Sequence, residues 1–213
     1  MIDFAAEREA MIERTIRRRG LGDPALLAAF RAVPREEFIS GDYASHAYAD
    51  GPLPIESGQT ISQPYIVALT IDSAGIGPTD KVLEIGAGSG YAAAVIGQIA
   101  GQVIAIERHR ELVELAQERM RRLGYDNVRI LEGDGTRGCP SGAPFDAIVA
   151  AASGSHVPTI LIDQLKPGGR IVMPIGDPHT VQSLIKVAKR QDGTLDRKEL
   201  CAVRFVPLIG ENA

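Results

Sequence analysis

The sequence predicts an α/β fold: a doubly wound, mostly parallel sheet with an N-terminal helical extension. Three observations predict it. Beyond Pro64, short apolar runs alternate with stretches of helical period; the first of those runs ends in a turn carrying Gly86, Gly88 and Gly90; and ahead of Pro64 no strand pattern is sustained. The expected organisation is one globular unit, with helices and a substrate-binding loop over residues 1–63 packed on an α/β domain over residues 64–213.

The elements follow in order. Apolar residues at Phe4, Met11, Ile12 and Ile16 predict a helix over residues 4–18 that stops at Gly20. Asp23 and Pro24 form a cap and first-turn pair for a second helix, whose stripe is Leu26, Leu27, Phe30 and Val33. Residues 36–63, rich in Gly, Pro, Ser, Asp and Tyr, read as irregular and too long for an inert connection, so binding groups are expected there. Helices are then predicted over 64–74, 91–100 and 110–123, and strands over 81–85, 103–106 and 128–131; this βαβαβ order implies parallel pairing. Strands over 145–150 and 170–174 flank a helix over 157–165, and two last strands, 184–189 and 200–208, are joined by the turn residues Asp192 and Gly193.

Composition excludes several classes. The chain has 213 residues, 45% of them hydrophobic and 23% charged, enough to bury a core of its own. A net charge of -4 opposes the basic field that nucleic-acid binding needs, and Arg17, Arg18 and Arg19 read as a solvated helix face. Cys139 and Cys201 stand far apart, and His46, His109, His156 and His179 show no ligand spacing, so neither a disulfide framework nor a metal is expected. No apolar run reaches the ~18 residues of a membrane span, and the charged N-terminus lacks a signal-peptide core. The expectation is a cytoplasmic monomer with no nucleic-acid or membrane partner.

The turn at residues 84–90 (EIGAGSG) closes a strand and opens a helix, where glycines let the chain turn sharply and let a ligand approach main-chain atoms. Glu107, just past the next strand, is placed to accept hydrogen bonds from ribose hydroxyls. Each feature also has a plain reading, as a tight turn or a solvated glutamate; together they point to a ribose-bearing ligand. The spacing G-x-G-x-G departs from the G-x-G-x-x-G of dinucleotide sites. Glu84 would repel a pyrophosphate yet suit the ammonium of a methionine moiety, which favours S-adenosylmethionine. Asp134 and Gly135, after the third strand, supply a further carboxylate at the adenine end or form a simple turn.

At residues 47–55 (AYADGPLPI), 58–65 (GQTISQPY) and 82–91 (VLEIGAGSGY) the chain resembles the protein-L-isoaspartate (D-aspartate) O-methyltransferase family. LGYDNV from Leu123, GDG from Gly133, QLKPGGR from Gln164 and FVPL from Phe205 extend the likeness over nearly the whole length. The resemblance implies a Rossmann-like fold of the class I S-adenosylmethionine methyltransferase type. It also implies methyl transfer to the α-carboxylate of L-isoaspartyl, and more weakly D-aspartyl, residues in damaged peptides and proteins, starting repair through a succinimide and leaving S-adenosylhomocysteine. By the same resemblance Ser62 is the active-site residue, and Gly86, Gly88, Ser89, Glu107, Asp134 and Gly135 line the cofactor, with Gln182 added to them; the loop reading includes Glu84, Ala87 and Gly90 as well. Glu56 and Ser57 replace the small or glycine-containing pair of the family, and Ala87 stands where threonine is frequent; Glu56 is expected to alter peptide preference if it faces the site.

A carboxylate acceptor is already ionised at neutral pH, so the chemistry asks for positioning rather than a strong base. Ser62 is assigned a hydrogen bond that orients it, with Gln59 and Thr60 as neighbouring substrate contacts; the plain reading of Ser62 is a helix cap ahead of Pro64. Tyr43, Tyr48 and Tyr65 are candidates for a substrate lid or for core packing. The competing readings are a carboxylate methyltransferase with another peptide or small-molecule acceptor, a non-catalytic module that keeps the cofactor fold, and a dinucleotide oxidoreductase.

Overall fold

The computed structural model describes residues 2–177 and 180–212, without the Asp42 side chain, so His179 lies outside the described residues. Helix α1 (Phe4–Met11) is capped by Asp3, whose carboxylate accepts the Ala6 N–H. The helical path runs on to Arg19 as expected, but through a widened π turn at Ile12–Ile16 and a tight turn at Arg17–Arg19. The widened turn keeps Met11, Ile12, Thr15 and Ile16 together on the buried side, a change of phase that a 3.6-residue period does not encode. Helix α2 (Pro24–Ala32) starts on the Asp23 cap, which accepts the Leu26 N–H, and buries Leu26, Leu27 and Phe30. The following segment is largely irregular. Within it the antiparallel pair β1 (Leu53–Pro54) and β2 (Thr60–Ile61) was not predicted, because two residues are too few to show a period.

The rest is α3 (Pro64–Ala74), β3 (Lys81–Ile85), α4 (Tyr91–Gly97), β4 (Gln102–Glu107), α5 (Arg110–Leu123), β5 (Val128–Glu132), β6 (Phe145–Ala150), α6 (Thr159–Asp163), β7 (Leu165–Ile175), β8 (Gln182–Lys189) and β9 (Leu195–Val203). The strands form one sheet in the order β5-β4-β3-β6-β7-β8-β9. Pairings from β5 through to β7 are parallel, while β8 and β9 are added antiparallel. The order reverses between β3 and β6, and a crevice opens beyond the carboxyl ends of those strands.

Several boundaries differ from the sequence reading, each for a local reason. Helix α4 stops at Gly97, where the Asn127 amide donates to the Gly97 and Ala100 carbonyls and ends the helical ladder. Helix α6 is short, starting after Pro158 and ending at Gln164, whose side chain instead accepts the Cys139 N–H and donates to the Arg137 carbonyl. Strand β7 starts early, at Leu165, and absorbs Lys166–Gly169 as an irregularity in its pairing with β6. Strand β9 begins at Leu195 because ladder bonds to β8 hold the exposed residues 195–199, of which 196–199 are charged and carry no apolar alternation. It ends at Val203, after which the chain turns across the sheet: Ser153 donates its N–H to Val206 and accepts the Leu208 N–H. That turn brings Phe205 to Ile209 over the crevice.

Two apolar layers cover the sheet. One joins Ile12, Phe30, Val67 and Ala94 to Val82, Val103 and Val149; the other joins Leu83, Ile85, Phe145, Leu161 and Met173. The N-terminal helices therefore share their core with the strands. No helix among the described residues is long and apolar enough to cross a membrane.

Gly97 shows how tightly α4 sits on the sheet. A Cβ there would lie 2.6 Å from Val128 Cγ2 and 3.3 Å from Asn127 Oδ1. Alanine gains about 1 kcal/mol of helix propensity, but overpacking against a β-branched side chain costs about 1–3 kcal/mol. Gly97→Ala is therefore expected to lower Tm, and adding Val128→Ala should remove most of the Gly97→Ala penalty; thermal unfolding of the four proteins checks this.

Candidate active site

The glycine turn starts where β3 ends. Gly86 and Ala87 both donate to the Ile106 carbonyl of β4, which pulls the turn over the strand tips. Gly86 and Gly88 hold φ of 82° and 52°, a region that L side chains enter at a cost, and a Cβ on Gly88 would meet Ile55 of the β1–β2 hairpin at 3.5 Å. Gly86, Ala87, Gly88 and Ser89 line an inner cavity. Gly90 instead starts α4 and packs on α5, with Met120 Cε 3.0 Å from where its Cβ would be.

Glu107 closes β4, almost fully buried. Its Oε2 accepts the Gly88 N–H at 2.9 Å, and its Oε1 accepts the N–H groups of Arg108 and His109 at 2.8 and 2.9 Å. About four acceptor sites belong to a carboxylate; three are used by backbone, and the residue lines an outer cavity together with His109, Gly135 and Ile209.

Glu84 lies one strand away, 2% exposed, on the wall of the inner cavity. Its Oε2 has no hydrogen-bond partner. Burial, with the Glu107 carboxylate nearby adding to it, pushes the Glu84 carboxyl up to about 8. The inner cavity is also lined by Tyr91, whose buried hydroxyl interacts with the Arg35 guanidinium, and by Ser62.

A third opening, a groove, is lined by Pro52, Ser62, Gln63, Val181, Arg204 and Val206, among others. Thr60 and Ala151 border the inner cavity, the outer cavity and the groove alike, so the three meet at one point. Ser62 and Phe205 stand between inner cavity and groove. The inner and outer cavities form one concave site, with a surface groove running up to it.

Ser62 is half-buried, and its hydroxyl makes no hydrogen bond to a described residue. The cap of α3 is Gln63, without a side-chain cap bond, so the capping role considered for Ser62 is not used. Its main-chain carbonyl is engaged instead: Arg35 Nη2 donates to it at 2.9 Å. Gln59 lines the outer cavity and donates its amide to the Ser57 carbonyl.

The other expected residues are placed differently. Asp134 accepts from the Thr136 N–H and hydroxyl and from the Glu211 N–H, tying the C-terminal segment to the turn after β5. Its neighbour Gly135 reaches the outer cavity, and a Cβ there would lie 2.5 Å from Ile85 Cγ2. Gln182 is 1% exposed and holds both backbone groups of Phe205, at 2.7 and 3.2 Å, so it acts on the cavity through Phe205. Glu56 turns to the Ser40 hydroxyl and lies 3.9 Å from Arg119 Nη2, while Ser57, at φ 54°, donates its hydroxyl to Glu111. These contacts moor the hairpin on α5, and Glu56 borders none of the three openings.

Tyr48 belongs to an internal network with Arg8 and Glu36, the Arg19 guanidinium lies over the Tyr65 ring, and Tyr43 is exposed. Among the described residues no group of three His, Cys, Asp or Glu side chains is placed to hold a metal.

Sequence reasoning missed Arg35, Tyr91 as a cavity wall, Ala151 and Arg119. Arg119 donates from α5 to the Ser89 carbonyl at 3.2 Å and is nearly buried. A buried arginine that serves backbone carbonyls leaves no pattern in its own neighbourhood. Tyr91 and Phe205 stood inside stretches already noted, with nothing to say which way they faced.

Glu84 carries a pH signature. Its folded pKa lies above the ordinary glutamate value of about 4.3, so its contribution to stability is fully present below that value and is lost as pH rises through about 8. Glu84→Gln is expected to flatten the decline in unfolding free energy between pH 5 and pH 8.5 in the ligand-free protein. Denaturant melts across that range check it; parallel profiles for the two proteins would contradict the assignment.

Comparison with known proteins gives the family and the fold. The family described as Protein-L-isoaspartate(D-aspartate) O-methyltransferase (PCMT) matches residues 6–213. The chain is 51% identical over 208 residues to Protein-L-isoaspartate O-methyltransferase 1 of Rhodopseudomonas palustris (strain HaA2), covering 98% of this chain and 85% of the relative. It is 50% identical over 203 residues to Protein-L-isoaspartate O-methyltransferase 2 of Pelobacter propionicus, covering 95% and 90%. A solved protein-L-isoaspartate O-methyltransferase superposes with a TM-score of 0.86 at 32% identity, over 96% of this chain and 66% of that one. A Plasmodium falciparum chain crystallised in complex with S-adenosyl-L-homocysteine gives a TM-score of 0.80 at 26% identity, over 98% and 99%.

Proposed function

The chain belongs to the protein-L-isoaspartate(D-aspartate) O-methyltransferase family, and from that premise we propose that it methylates isoaspartyl carboxylates where its three openings meet, at Thr60 and Ala151. It is an S-adenosylmethionine-dependent protein carboxyl methyltransferase. The observation that carries the site assignment is Ser62: a hydroxyl with no partner among the described residues, on the wall between a buried cavity that holds the Glu84 carboxyl and a surface groove.

The residues present fit the cofactor. The unpartnered Glu84 oxygen is the group that an ammonium would satisfy, and Gly86 and Gly88 leave main-chain atoms open to a ligand. Glu107, pre-oriented by three backbone N–H groups, would hold a ribose hydroxyl with its remaining acceptor site, and Gly135 leaves room at the adenine end of the outer cavity. When bound, the cofactor supplies an electrophilic methyl carbon on a sulfonium.

The chain's own part is binding and orientation. The groove takes the polypeptide flanks on largely apolar walls, with Arg204 the one charged residue among the described residues that line it. The Ser62 hydroxyl donates to the acceptor carboxylate and fixes the direction of the attacking oxygen, with Thr60 and Gln59 beside it. No base is required, because the acceptor is ionised at neutral pH, and orientation supplies several kcal/mol of the barrier. Methylation of L-isoaspartyl residues, and more weakly D-aspartyl residues, in damaged proteins follows as the physiological reading, with the ester closing to a succinimide. Residues 1–63 are taken as the substrate-side part of one globular unit. The reading places a monomer in the cytoplasm, which suits its unpaired Cys139 and Cys201.

Labelled S-adenosylmethionine offered with matched aspartyl and isoaspartyl peptides tests the substrate: base-labile label is expected in the isoaspartyl sample alone, and equal labelling of both would overturn it. Loss of a hydrogen bond to a charged group costs about 1.5–3 kcal/mol, so Ser62→Ala is expected to lower kcat by about 10- to 150-fold while leaving the Kd for S-adenosylhomocysteine nearly unchanged. Glu107→Ala should do the reverse, weakening that Kd by about tenfold or more; calorimetric titration separates the two.

A further inference from the structure

We propose that Arg35 is a positioning residue for methyl transfer: its buried guanidinium holds Ser62 by the main-chain carbonyl and so fixes where the Ser62 hydroxyl points. The inference rests on the reading of Ser62 given above and extends it to a residue outside the cavities.

Arg35 is 0% exposed, yet its hydrogen bonds go to no carboxylate. Its Nε donates to the Ala47 carbonyl at 2.8 Å, its Nη2 donates to the Ser62 carbonyl at 2.9 Å, and the guanidinium also interacts with the Tyr91 hydroxyl. The guanidinium carbon lies 4.8 Å from the centre of the Tyr91 ring, which walls the inner cavity. Burying a cation in this way is expensive, and an apolar side chain of similar volume would fill the space at lower cost. What an apolar residue cannot do is bind two carbonyls at once.

The two carbonyls stand at the ends of one segment. Ala47 precedes the β1–β2 hairpin and Ser62 follows it, so a single planar fork closes the loop that borders both cavities and groove. Because Ser62 is held by its backbone, its hydroxyl stays available. A lysine offers a point charge on a flexible stem and cannot hold both carbonyls in the geometry of the fork. Displacing a reacting contact by about 1 Å costs up to ~100-fold in rate, which sets the scale expected for loosening this loop.

The test is a double-mutant cycle on the full chain with Arg35→Lys, Ser62→Ala and the pair, reading kcat and KM with an isoaspartyl peptide and the Kd for S-adenosylhomocysteine. Arg35→Lys is expected to lower kcat at least about tenfold with that Kd within about twofold, and to add little further loss when Ser62 is already alanine. Unchanged kcat in Arg35→Lys, losses that multiply in the double variant, or a Kd that worsens in step with kcat would each overturn the positioning role. If Arg35→Lys does not fold, Arg35→Gln, which keeps one donor, is read by the same criteria; failure of both to fold assigns Arg35 to core stability and also overturns the inference. A Ser62→Ala protein with full kcat refutes the reading of Ser62 itself, so the two failures are distinguishable.

Discussion

Because Glu84 lies inside the sheet with one carboxylate oxygen unpaired, the chain must keep a proton there or meet a positive charge. The glycine turn is built around that constraint. It passes over the strand tips on two N–H bonds to Ile106 and donates a third, from Gly88, to Glu107, so the second carboxylate is locked by backbone while the first is left open. Two acidic groups on adjacent strands thereby have opposite surroundings: Glu107 is held by three backbone N–H groups, while the Glu84 Oε2 meets none.

Buried arginines, and not apolar packing alone, fix the N-terminal extension: Arg35 ties it together internally, and Arg119 of α5 joins it to the glycine turn. Arg35 reaches Ser62 and Ala47, and Arg119 reaches the Ser89 carbonyl while Glu56 of the hairpin turn lies beside it. Each guanidinium trades its water shell for carbonyl oxygens at fixed angles, which costs stability and yields geometry. Phe205 receives the same treatment from the other side, clasped by the Gln182 amide.

What the sequence disclosed was whatever repeats or stands at a boundary. The strands from Lys81 to Ala150 declare themselves by continuous apolar runs, and Glu107 is legible because it ends one of them. Residues whose role depends on contacts across long separations were not legible. Arg35 sits in the polar run 35–37 and reads as surface, although it is fully buried; Gln182 was assigned to the cofactor when its partner is the Phe205 backbone; and β9 was displaced because residues 195–199 are held by ladder bonds with no apolar face. The π turn at Ile12–Ile16 belongs to the same class, since its phase is set by what Met11 and Ile16 pack against.

The outer edge of β9 has a consequence for how the sheet meets other polypeptides. Asp196, Arg197, Lys198 and Glu199 form a run of mixed charge along the last strand of the sheet, all exposed. An open margin of that kind otherwise invites a loose segment of another polypeptide to pair with it and seed aggregation, and charged side chains discourage such pairing. Guarding this margin keeps the seven-stranded sheet from extending into another chain.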